Sequence, residues 1–155
     1  MERGPLPAAA EWPAARLEKV RCRYAMEYVR TLLPVMLELH GEEGTRALLG
    51  RAARLTGMQL YDETAALAGT ASFGDYLAAL FAAQGETVER DGANVRLRGW
   101  KLMQGLLPLP QAAFEAWNEL WVGAGLAADR HTHLQSSFDP QSAPVSLAWS
   151  FLPPE

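Results

Sequence analysis

The hydrophobic repeat of this chain changes at Gly85, from helical spacing before it to alternation from Thr87 onward. A run of helices followed by antiparallel strand pairs is the signature of an α+β domain, because alternating strand and helix would be needed for a parallel sheet. From Ala14 the apolar positions Leu17, Val20, Tyr24, Tyr28, Leu32, Val35 and Leu39 keep helical spacing. Trp12-Pro13 is a fitting helix entry, since proline is tolerated in the first turn. Pro34 predicts a kink or a split, and Gly41 a stop. A second helix is expected over 42–56, with Leu48, Leu49, Ala52 and Leu55 on its apolar side and Gly57 closing it. A third covers 58–67 and ends at Gly69; a fourth starts at an N-cap Ser72 and stops at Gly85.

Beyond Gly85, Thr87–Arg90 and Asn94–Arg98 flank Asp91-Gly92, a hairpin turn signal, with Arg90, Arg96 and Arg98 expected outside. Residues 100–109 are apolar but end in Pro108 and Pro110, which fits a strand, a lid or a helical turn. Pro110 opens a last helix over 111–126. Two more strands are expected near 129–138 and 144–152, parted by Asp139-Pro140. The two hairpins, separated by a helix, can join into one four-stranded antiparallel sheet covered by an N-terminal helical layer. Residues 1–13, rich in Pro and Ala, read as a flexible leader, and 14–155 as one domain.

Composition bounds the partners. A net charge of −4 argues against nucleic acid, which asks for a basic patch. No apolar run approaches the ~20 residues of a membrane span. A single cysteine, Cys22, excludes an internal disulfide or a multi-cysteine metal site and, with no signal peptide, suits a cytoplasmic protein. Cys22 reads as a small packing residue, and His40, beside Gly41, as a helix-terminal residue favoured by the dipole. Gly123 and Gly125 follow helical residues instead of opening a helix, so they indicate close packing at a helix end rather than a phosphate loop.

One stretch gathers acid/base and metal-ligand groups: Asp129, His131 and His133 alternate, so on a strand all three would share a face. Such a set can hold zinc or relay a proton near neutral pH. It can equally be the solvated side of a hairpin. A second group is aromatic. Phe114, Trp117 and Trp121 share one helix face, and Trp100, Met103 and Trp149 come from elements able to pack against it. Each large ring buries about 150–250 Å², so the group either fills a core or walls an apolar pocket. Tyr28 is a candidate for the polar end of such a pocket.

The run R-Y-A-M-E-Y-V-R-T-L-L-P-V-M-L-E-L-H-G-E-E-G-T-R-A-L-L-G-R-A-A-R (Arg23 to Arg54), the hairpin at Asp91-Gly92, and F-E-A-W-N-E-L-W-V-G-A-G-L (Phe114 to Leu126) with two strands after it carry a resemblance. Together they resemble the ligand-binding fold of the 4-vinyl-reductase-type domains and the L-2-amino-thiazoline-4-carboxylic acid hydrolase-like proteins. Members often carry a G-D-x-x-C step between the last strands, and here that step reads F-D-P-Q-S-A-P (Phe138 to Pro144) with no cysteine. The resemblance therefore implies a stand-alone sensor or carrier that holds a small apolar or aromatic molecule between its helices and sheet, without a cysteine-bound metal or any other cofactor. It also implies an alternative: a hydrolase opening a small cyclic C–N bond, with Asp129, His131 and His133 as its acid/base set. A third expectation is an interaction module in which the first helix pairs with a second copy of the chain.

Overall fold

The computed structural model describes residues 14–70, 72–106, 108–131 and 133–152, with side chains described between 29 and 151 except 66–68, 71, 107 and 132. The leader with Trp12-Pro13 and the side chains of Cys22, Tyr24 and Tyr28 lie outside them. Helix α1 (Ala14–Ala68) is followed by α2 (Phe73–Ala83), β1 (Val88–Asp91) and β2 (Asn94–Arg98). A short 3-10 turn (Lys101–Met103) then leads to α3 (Gln111–Ala128), β3 (His133–Asp139) and β4 (Ser146–Leu152). All pairings in the sheet are antiparallel, in the order β1-β2-β4-β3. The α+β expectation, with two hairpins separated by a helix, holds.

The helix boundaries differ from expectation in two places. The break in α1 falls at Gly41 (φ 65°, ψ −173°), while Pro34 lies within helical backbone. A proline costs one hydrogen bond, which a long helix can absorb, whereas the left-handed φ at Gly41 cannot continue the ladder. Gly57 does not close a helix; the expected pieces 42–56 and 58–67 form one segment of α1. Its glycine answers to packing. A Cβ on Gly57 would stand 1.8 Å from the carbonyl oxygen of Leu120, and one on Gly123 would stand 2.0 Å from that of Arg54. The second segment of α1 and α3 thus cross backbone against backbone.

The other signals behave as read. The Ser72 hydroxyl accepts from Asp75 N–H (3.2 Å) and caps α2, while Gly85 (φ 83°) ends it. Within that ending, Glu86 N–H reaches Phe81 O at 3.0 Å. The ambiguous 100–109 segment becomes the 3-10 turn because the Glu86 carboxylate accepts from the N–H groups of Lys101 and Leu102, both at 3.0 Å. Its side chains Trp100, Leu102 and Met103 are buried.

On the sheet, Val95, Leu97, Leu147 and Trp149 point inward and are fully buried, and Arg96 and Arg98 face out. Arg90 is a correction. It pairs with Val95 and so lies on the helix side, where its Nε donates to Asp75 Oδ1 at 3.3 Å. Gly74 leaves room for the guanidinium there, since a Cβ would lie 2.6 Å from Arg90 Nη2 and make that side chain shift. The helices form two tiers. Both α2 and α3 meet the sheet, and α1 runs along α3. No helix among the described residues is long and apolar enough to cross a membrane.

Tyr76 joins α1 to α2: its hydroxyl lies 2.7 Å from Thr64 Oγ1, which itself donates to Leu60 O. Burial pushes the phenol above its ordinary range, partly offset by that hydrogen bond. Above about pH 10 the unfolded chain ionises first, so stability declines as pH rises there. Tyr76→Phe should flatten this decline in urea titrations.

Alanine is the better helix former by about 1 kcal/mol, so propensity alone predicts that Gly57→Ala stabilises. The blocked Cβ position predicts the opposite, a loss of about 2–3 kcal/mol in urea unfolding. Gly50→Ala, whose Cβ would first meet the flexible Glu119 Cγ at 3.3 Å, should be near neutral.

Candidate ligand cavity between the helices

Helix α3 is buried on two opposite faces. Phe114 and Asn118, at i and i+4, face the sheet, where they meet Phe138, Ser136 and Trp149, while Ala116, Leu120 and Gly123 face α1. Asn118 fixes the sheet side. Its Oδ1 accepts from Trp149 Nε1 at 2.7 Å and its Nδ2 donates to Ser136 Oγ at 2.9 Å, so one buried amide ties α3 to both strands of the last hairpin. On one flank Arg46 pairs with Glu115 and Arg54 with Glu119, which raises both guanidinium pKa values through those hydrogen bonds. These pairs are largely exposed, so each adds little stability.

The other flank is hollow. Trp117 and Trp121 face a cavity of about 540 Å³ that also reaches Ala116 and Leu120 of α3. Its remaining walls come mainly from both segments of α1, and no strand residue lines it, so it lies between helices and not between helices and sheet as expected. Val29, Leu32 and Leu33 stand before the Gly41 break, and Leu49, Ala52, Ala53, Thr56 and Leu60 after it. Leu102 of the 3-10 turn and Gln84 at the C-cap of α2 complete it. No lining residue carries a charge, and the size is that of a small-molecule site.

The structure divides the aromatic candidates. Trp117 and Trp121 line the cavity, whereas Trp100, Met103, Phe114 and Trp149 are buried in the core that supports it. Their ring contacts explain why. Phe81 lies 4.8 Å from Trp121 and 4.9 Å from Trp149, Trp100 lies 4.8 Å from Trp117, and Phe114 stacks on Phe138 at 5.0 Å. Trp149 is turned away from the cavity by its bond to Asn118. Gln84, Leu33 and Ala53 are lining residues that the sequence reading missed. The signal for the α1 contribution was an apolar stripe continuing past Gly41, on more positions than one helix contact needs.

The Asp129-His131-His133 stretch does not share a strand face, which corrects the expected start near 129. Strand β3 begins at His133, because Asp129 ends α3 with its N–H on Gly125 O and its Oδ1 accepts from His131 N–H at 2.9 Å. His131 sits in that turn, His133 faces away from the core opposite the alternating Leu134, and both are exposed. Among the described residues no three His, Cys, Asp or Glu groups come together in a metal-holding arrangement. Comparison with protein-family models and with curated proteins finds no match to this chain.

Asn118→Leu should cost about 1–3 kcal/mol by orphaning the Trp149 indole N–H, read as a lower urea midpoint. His131→Ala/His133→Ala, at exposed positions, should change stability by less than about 0.5 kcal/mol.

Proposed function

We propose that this protein binds a small apolar molecule between its helices, as a carrier or sensor. The observation that carries the reading is the roughly 540 Å³ uncharged cavity walled by Trp117 and Trp121. Buried apolar surface supplies the affinity, about 25 cal/mol per Å² removed from water. The order of elements agrees with the resemblance to the ligand-binding fold of 4-vinyl-reductase-type and L-2-amino-thiazoline-4-carboxylic acid hydrolase-like proteins. The single cysteine and the composition support a cytoplasmic setting. The hydrolase alternative has less behind it, since Asp129, His131 and His133 are not among the cavity's lining residues.

A second reading, pairing of two copies through α1, is favoured by the exposed Leu39, Leu48 and Leu55, with 69%, 54% and 57% of their surface open. Light scattering tests it directly: a monomer at micromolar concentration removes it.

For the binding reading, diphenylhexatriene should become fluorescent on mixing with the protein and should quench tryptophan emission. At a free concentration of 100 times Kd it should raise the melting temperature by about 5–10 °C. Ala53→Phe, which fills the cavity from its α1 wall, should abolish both signals while leaving the circular dichroism spectrum unchanged. Probe binding undiminished in that variant would place the site elsewhere.

A further inference from the structure

We infer that the cavity takes neutral amphiphiles tail first, with Gln84 and Thr56 hydrogen-bonding the polar end, and discriminates against the corresponding anions. This rests on the binding reading above and names the ligand class. The cavity is polarised along its depth. Leu33 and Trp121 are fully buried at its inner end, whereas Gln84 and Thr56, with Ala52, are exposed and so mark its mouth.

Each mouth residue has hydrogen-bonding capacity left over. The backbone N–H of Gln84 is committed to Leu80 O at 3.0 Å as the cap of α2. Its side-chain amide makes no hydrogen bond to any described residue, which leaves two donors and an acceptor. The Thr56 hydroxyl donates to Ala52 O at 3.0 Å, so its proton is used and its lone pairs can still accept. A hydroxyl at the mouth can use both residues, accepting from the Gln84 amide and donating to Thr56 Oγ1 or Gln84 Oε1, whereas a carbonyl can only accept, from Gln84. A carboxylate can only accept.

The charges nearby give an anion no help. Lys101, beside the lining residue Leu102, places its Nζ on Gly85 O at 2.5 Å. The neighbouring carboxylate of Glu86 is negative, and it caps the Lys101 and Leu102 N–H groups. Arg46, Arg51 and Arg54 line a separate groove with Glu115 and Glu119, on the other flank of α3. An ionised head beside Gln84 would meet the cation of Lys101 and the carboxylate of Glu86 together, so their opposite charges give it no net attraction.

The test is displacement of diphenylhexatriene from the full chain at pH 8 by 1-decanol and by decanoate. Decanol is expected to displace at a concentration roughly tenfold lower than decanoate, and the gap should persist in 0.5 M salt. In Gln84→Leu, decanol should weaken about fivefold to tenfold while the hydrocarbon probe itself binds as before, which shows that the site is intact. Equal displacement by the two compounds, or decanol affinity unchanged in Gln84→Leu, would overturn the inference and leave apolar binding standing. Failure of the probe to bind the unaltered protein would overturn the binding reading and this inference with it.

Discussion

The fold depends on two missing Cβ atoms. Gly57 and Gly123 let the second segment of α1 and α3 approach until carbonyl oxygens of each fill the space where a methyl group of the other would be. Contact that close cannot continue along two helices, because large side chains soon push the axes apart. Here Leu49, Leu60, Trp117 and Trp121 lie along the flank of the crossing, and the Gly41 break sends the first segment of α1 over them as a roof. A tight crossing at small residues and a bulky flank together leave a space open on one side. The cavity follows from the packing that holds the helices together.

The lower wall is held just as firmly. Burying the polar amide of Asn118 is favourable only because both of its ends are satisfied, by Trp149 and by Ser136. That single side chain fixes the rotation of α3 over the last hairpin, and so decides which tryptophans face the sheet and which face α1. Trp100 and Trp121 bury indole N–H groups without a partner among the described residues, so they are held by ring packing rather than hydrogen bonding. Around them Phe81 touches three tryptophans at once and transmits the position of α2 to the wall.

Local signals in the sequence reported local structure well. Ser72, Gly85, Asp91-Gly92 and Pro110 each mark a real boundary, because a cap or a turn is settled by a few adjacent residues. Gly57 misled for the converse reason: what a glycine does in mid-helix depends on a neighbour distant in sequence, here the Leu120 carbonyl. The same limit governed the site. Helical spacing put Phe114, Trp117 and Trp121 on one side of α3, but only the hydrogen bond from Trp149 to Asn118 and the ring contacts of Phe81 and Trp100 separate core from cavity wall. Alternation likewise suggested a shared face for Asp129 and the two histidines, and the Asx turn at Asp129 removed it.

The size of the cavity bears on how the protein exists in solution. The cavity of about 540 Å³ is open on one side, so its lining, uncharged throughout, stands against water. Water can enter at the Gln84 and Thr56 end, but at ~30 Å³ each about 18 molecules would fill it, most facing walls that offer them no hydrogen bond. Displacing such water by an apolar tail releases the least comfortable solvent in the molecule. The α1–α3 crossing thus keeps open a space that water fills poorly and a hydrocarbon fills well, and this difference is the driving force for occupancy.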